Sequence, residues 1–117
     1  MHNSARGKKG EDLAADNLLA DGFEVIARNF RSKFGEIDII ALKNETIIFV
    51  EVKSWVKYGA EDLQYSIDVK KQQKIIKTAK YFLLENRKYS NMSIQFDVIF
   101  VKNNIVNHLA SAFTESV

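Results

Sequence analysis

Asp38, Glu51 and Lys53 are the residues of this chain whose types and spacing most suggest chemistry. Each interrupts an apolar stretch. Asp38 sits among Ile37, Ile39 and Ile40, while Glu51 and Lys53 follow Ile47-Ile48-Phe49-Val50 and flank Val52. A buried carboxylate without a partner is costly, so such positions imply a counter-charge or a metal ion. Two carboxylates with nearby backbone and water oxygens form a hard donor set, suited to Mg²⁺ or Mn²⁺. Such an ion activates water and neutralises charge on a phosphoryl group. A lysine beside it orients the water or stabilises developing negative charge. Acid, acid and lysine therefore point to an anionic substrate.

Strand parity decides whether the three can meet. Glu51 and Lys53 are two apart and share a strand face. A two-residue turn at Asn44-Glu45 pairs Lys43 with Thr46 and so Asp38 with Glu51. A turn at Lys43-Asn44 sets Asp38 opposite Phe49, diagonal to Glu51. Either gathers the charges on one face, whereas an odd-length turn or a bulge changes that relationship.

The elements that must carry these residues are legible in outline. Residues 1–6 read as a frayed basic end. Lys8 to Asp21 has a helical pattern, with Leu13, Ala14 and Leu18 on its stripe and Gly22 placed to end it. Glu11 then falls in the first turn, where an acid favours the helix dipole. Phe23 to Phe30 reads as a strand, Arg31-Ser32-Lys33 as a basic connection, and Glu36 to Leu42 and Thr46 to Lys53 as two further strands. Apolar residues at adjacent positions argue for cover on both faces. Ser54 to Gln64 reads as a loop beside the site, where Trp55 and Tyr58 can stack on bases or pack on the core. Ser66 is the expected cap of a long helix over Ile67 to Asn86. Its apolar face holds Ile75, Ile76, Ala79, Phe82 and Leu83, and Lys70, Lys74 and Lys77 form another stripe. Asn91 marks a turn, Ile94 to Val101 a strand, Asn103-Asn104 a hairpin turn, and Ile105 to Leu109 a short last strand. The order is helix, three strands, helix, two strands: an α/β or α+β sandwich with a mixed sheet, read as one domain over 1–117.

Composition agrees with a globular chain of 117 residues, 46% hydrophobic and 27% charged. No apolar run nears the ~20 residues of a membrane span. The basic start leads into no apolar signal segment, and there is no cysteine. A cytoplasmic location is the expectation, with disulfides, thiolate zinc sites and a thiol nucleophile excluded. Net charge is only +2, yet residues 67–90 carry seven basic residues against two acidic ones. That asymmetry suits an anionic partner, and a solvated helix face is the alternative. Asp97 on the fourth strand either joins the site or satisfies a neighbour, and the structural role is the favoured one. His2 and His108 stand isolated, without an evident partner.

Asp38 followed by Glu51-Val52-Lys53 resembles the D…(E/Q)XK core of PD-(D/E)XK nucleases. The likeness extends further. Gly10-Glu11 with Ala14 and Ala15, Gly22-Phe23, Arg28-Asn29, Gly35-Glu36-Ile37-Asp38, Phe49-Val50-Glu51-Val52-Lys53, Lys70, Phe96-Asp97-Val98, His108 and Ala112-Phe113 occur in the order of the UPF0102 family. The resemblance implies a restriction-endonuclease-like fold, similar to archaeal Holliday junction resolvases. It assigns Asp38 and Glu51 to metal binding and Lys53 to assisting the nucleophile. It brings Glu11 in from the first helix as a further acid, beside the dipole role. This chain departs from the family pattern at Gln95 and at Ser54-Trp55, where arginines are usual.

These readings together imply a metal-dependent endonuclease acting on DNA, branched or damaged DNA included. Arg31, Lys33, Lys70, Lys74 and Lys77 are the expected nucleic-acid contacts. A junction cutter must cut two strands, which favours a homodimer. The alternatives are a nucleic-acid-binding module of nuclease-like fold without turnover, and an adaptor whose acids only serve the fold.

Overall fold

The computed structural model describes residues 2–55 and 67–115, with side chains over 9–54 and 67–115. Its elements are α1 (His2–Ala20), β1 (Glu24–Ser32), β2 (Gly35–Lys43), β3 (Thr46–Trp55), α2 (Val69–Glu85), a 3-10 turn (Arg87–Tyr89), β4 (Ser93–Lys102) and β5 (Ile105–Phe113). The expected order holds. The five strands form one mixed sheet in sequence order, β1-β2-β3-β4-β5. Only the β3–β4 pair is parallel, and α2 makes the crossover between them.

α1 and α2 cover opposite faces of the sheet. Ala14, Ala15 and Leu18 of α1 pack on Ile39, Ala41, Ile48, Val50, Ile99 and Val101. Ile75, Ala79 and Phe82 of α2 pack on Ile40, Ile47, Phe49 and Phe96. Phe82 meets Phe49 edge-on at 6.1 Å between ring centres. β3 thus buries Ile48 and Val50 on one side and Ile47 and Phe49 on the other. This double cover is why its sequence shows an apolar run and not an alternation.

α1 can lie close to the sheet because its contact stripe is small. A Cβ at Gly10 would collide with the Ser54 hydroxyl on β3. The helix ends in a Schellman motif. Gly22 has φ +89°, its N–H reaches Leu19 O, and the Phe23 N–H reaches Leu18 O. The β2–β3 hairpin turns through Asn44-Glu45, with Asn44 at φ 57° and Lys43 opposite Thr46. The β4–β5 hairpin turns through Asn103 and Asn104, both at positive φ, as a two-residue turn of matching twist requires.

Several boundaries differ from the sequence reading, β1 among them, since it runs on through Arg31 and Ser32, the expected connection. α1 starts at His2, where a frayed end was expected, so Glu11 lies mid-helix and the dipole role lapses. α2 runs Val69–Glu85 and is capped by Asp68, which accepts the Lys71 N–H at 2.8 Å. Ser66, the expected cap, lies outside the described residues. β5 extends to Phe113, past Leu109, because Phe113 stacks on Phe96 at 5.1 Å. The expected loop falls mostly on residues outside the description, as do Tyr58 and the Trp55 side chain.

Candidate functional site

The site lies where the β2–β3 ladder ends. Register runs from Lys43↔Thr46 to Ile39↔Val50, which sets Asp38 across from Glu51. At that point a side chain replaces the backbone: Asp38 Oδ2 accepts the Val52 N–H at 2.7 Å. Glu51 is 6% exposed. Burial, then the neighbouring Glu51 charge, push the Asp38 carboxyl up to about 7, although the Val52 N–H pulls the other way.

Two ammonium groups converge on one oxygen of Glu51. Lys53 Nζ stands 3.7 Å from Oε2, and Lys71 Nζ, from the first turn of α2, stands 3.6 Å from it. Both distances exceed a good hydrogen bond, so each lysine balances charge without being locked. Asp38, Glu51 and Lys53 therefore meet. Lys71 is a member that the sequence reading missed. Its signal was present: Lys71, Ile75, Thr78 and Phe82 follow the i, i+4, i+7, i+11 stripe, and the last three are buried. A lysine on an inward stripe asks for an acid beneath it.

Glu11 is drawn to β1. Its Oε1 accepts from Arg28 Nε at 3.1 Å and Asn29 Nδ2 at 2.9 Å, and Arg28 also reaches Asp12 at 2.6 Å. Hydrogen bonding to Asp12 and the charges of both acids raise the Arg28 pKa against the opposing effect of burial. Asn29 adopts φ 54° and lies opposite Asp38, between the pairs Arg28↔Ile39 and Phe30↔Ile37. Glu11 thus connects through Asn29 to the strand position beside Asp38. Among the described residues no three metal-ligating side chains gather in one group. Two adjacent carboxylates still suit Mg²⁺, which typically takes one or two of them and keeps water or phosphate elsewhere.

The expected nucleic-acid contacts divide. Lys70, Lys74 and Lys77 are exposed on α2. Lys33, at the β1–β2 turn, rests 5.3 Å from the centre of the Phe34 ring. That turn approaches α2, since Phe34 meets Tyr81 and Gly35 faces Lys74 and Thr78. Arg31 is already paired with Glu36 at 3.0 Å.

Asp97 stands apart from this site. Its strand-mates Ile99 and Val101 belong to the α1-side core, whereas Glu51 follows Phe49 on the α2 side. Asp97 accepts from Ser111 N and Gln95 Nε2, each at 2.9 Å, and meets His108 Nε2 at 2.6 Å. Burial pushes its carboxyl up, but these bonds, with His108 foremost, outweigh that and hold it below its ordinary value. The structural reading of Asp97 stands. His108, which looked partnerless in sequence, is its partner.

The chain matches the profile described as "Uncharacterised protein family UPF0102" over residues 10–101. It is 46% identical to a UPF0102 protein of Persephonella marina over 113 residues, covering 97% of each chain. A UPF0102 protein of Treponema denticola is 46% identical over 105 residues, covering 84% of this chain and 81% of that one. A UPF0102 protein of Clostridioides difficile is 41% identical over 117 residues, covering 97% of this chain and all of the other. This chain belongs to the UPF0102 family.

Proposed function

We propose that this protein is a metal-dependent DNA endonuclease that hydrolyses phosphodiester bonds, branched or damaged DNA included. The observation that carries the reading is the convergence on Glu51. A nearly buried carboxylate has Asp38 beside it and two ammonium groups about its outer oxygen. Purely structural packing rarely places two acids side by side with so little solvent.

In this reading Asp38 and Glu51 hold Mg²⁺ or Mn²⁺, which when bound supplies Lewis acidity and charge neutralisation for phosphoryl chemistry. Val52 N–H fixes the orientation of Asp38 through Oδ2. Lys53, on the strand face of Glu51, orients the attacking water and stabilises charge on the phosphoryl oxygens. Glu11 is the further acid, steadied by Arg28 and Asn29. Lys70, Lys74, Lys77 and Lys33 attract the DNA backbone, and Arg31 contributes less because Glu36 already holds it.

The test is cleavage of branched, single-stranded and duplex DNA by pure protein with Mg²⁺ or Mn²⁺. Lys53→Ala is expected to lose at least about a hundredfold in rate. Equal cutting by Lys53→Ala and wild type would defeat the assignment. Salt-sensitive binding without cutting would favour a nucleic-acid-binding module on the same basic surface.

A further inference from the structure

Lys71 is not needed to pair Glu51. Lys53, two residues along the same strand, already brings one positive charge to Oε2. The second ammonium comes from another element, and its base is fixed. The Lys71 N–H is held by the Asp68 cap, and Ile75, Thr78 and Phe82 anchor the same helical stripe in the core. Only the long stem is free to move. The Lys71 side chain is 40% exposed, against 30% for Lys53 and 7% for Glu51.

A divalent cation held by Asp38 and Glu51 would add two positive charges where two ammonium groups already stand. Like charges at such range in a poorly solvated site oppose one another strongly. One lysine must yield. Lys53 belongs to the covered strand, whereas Lys71 can swing to solvent or to an anion along the mouth of the site.

We propose that Lys71 is a positioning residue of the site: it stands in as the counter-charge of Glu51 while the cation is absent and yields to it on binding, turning its ammonium to the substrate phosphate. This rests on the metal-dependent reading above. It makes α2 a bridge between the exposed lysines and the carboxylates, because Lys70, Lys71 and Lys74 follow one another along the same end of the helix.

The test is Mn²⁺ titration by calorimetry on the full chain, free of DNA, comparing wild type, Lys71→Met, Lys71→Arg and Lys80→Met. Lys80 pairs with Glu115 near the other end of α2 and controls for net charge. Methionine keeps helix propensity and stem volume, and a melting curve of each variant checks the fold. Lys71→Met is expected to bind Mn²⁺ about tenfold more tightly than wild type. Lys71→Arg should stay within about threefold of wild type, and Lys80→Met within about twofold. At saturating Mn²⁺, Lys71→Met should raise the KM for DNA while kcat falls less. Unchanged Mn²⁺ affinity in Lys71→Met, with wild type binding the ion, overturns the role of Lys71 alone. Absence of Mn²⁺ uptake by both proteins overturns this role and the metal-dependent reading together.

Discussion

Asp38 takes the Val52 N–H with its side chain, 2.7 Å from Oδ2, at the point where the β2–β3 ladder gives out. The carboxylate therefore has a structural task beside the chemical one proposed for it. Asp38→Asn keeps an acceptor for Val52 and removes the repulsion with Glu51. It should leave stability at pH 8 unchanged or raise it by up to about 1 kcal/mol, while abolishing Mn²⁺ binding. Asp38→Ala leaves the N–H without this acceptor and should cost about 1–3 kcal/mol. Chemical denaturation of both variants beside calorimetry separates the two tasks. An Asp38→Asn protein that binds Mn²⁺ as wild type does would contradict the site.

The same carboxyl makes stability depend on pH in a defined direction. Its folded pKa is raised to about 7 from an ordinary value near 4. The folded protein thus binds more protons than the unfolded chain between those values, and stability falls as pH rises from about 4 to about 7. The loss should be on the order of 1–2 kcal/mol, allowing for relaxation of the pair. Asp38→Asn should flatten that slope, and Mn²⁺ should offset it in wild type. Urea midpoints at pH 5 and pH 8, with and without Mn²⁺, are the measurement.

Asp97 should show the opposite sign. Its folded pKa is lowered, so its stabilisation is present above the ordinary carboxylate value and is lost as pH falls through the folded one. Asp97→Ala strips an acceptor from Ser111, Gln95 and His108 in a buried place and should cost about 2–4 kcal/mol. His108→Gln, which keeps a donor of similar length, should cost about 1 kcal/mol. Melting curves at pH 7 and pH 4 test both, and DNA cleavage by His108→Gln should match wild type.

Legibility of these relationships in the sequence followed the regularity of strand pairing, not sequence range. The β2–β3 parity could be worked out because a two-residue turn links Asp38 to Glu51 through one short hairpin. The sheet's double cover was readable in Ile47-Ile48-Phe49-Val50. The Asp97–His108 pair was not, because it depends on a register shift between Phe96 and Val98 in the β4–β5 pair, with Ser111 at φ 51°. Alternation counts carry no sign of a bulge. Lys71 is harder to place because the apolar stripe of α2 begins at Ile75, one turn later, and a lysine in a basic first turn suits an outside anion as well as a buried acid. Arg28 and Asn29 stand out as a motif, but their hold on Glu11 is a side-chain contact between β1 and α1, 17 and 18 residues apart, that no periodicity marks.

Gly10 and Ser54 set how close α1 comes to β3. Glycine inside a helix is usually worse than alanine by about 0.5–1 kcal/mol. Here that order should reverse, since the new methyl meets the Ser54 hydroxyl. Gly10→Ala should destabilise by about 1–3 kcal/mol, and Ser54→Ala in the same chain should recover most of the loss. Glu11 and Lys53 are the chain neighbours of this contact, so Gly10→Ala should also weaken Mn²⁺ binding, with the double variant restoring it. Additive losses in the double-mutant cycle would show that the two residues do not press on each other.

Salt dependence separates the exposed lysines from the site beneath them. Each phosphate neutralised on duplex DNA contributes about 0.9 to the slope of log affinity against log salt. Lys70, Lys74 and Lys77 lie exposed on one helix, so replacing all three with alanine should reduce that slope by about 2–3. Mn²⁺ affinity should hardly change, since none of the three is among the lysines that reach Glu51. Lys33→Ala should reduce the slope by about 1, whereas Arg31→Ala should reduce it by less, because Glu36 already occupies that guanidinium. Fluorescence-anisotropy titrations of a labelled duplex over a range of salt concentrations measure each slope directly. A triple variant with the wild-type slope would place the DNA on another surface, and equal effects from Arg31 and Lys33 would mean that the Glu36 pair opens on binding.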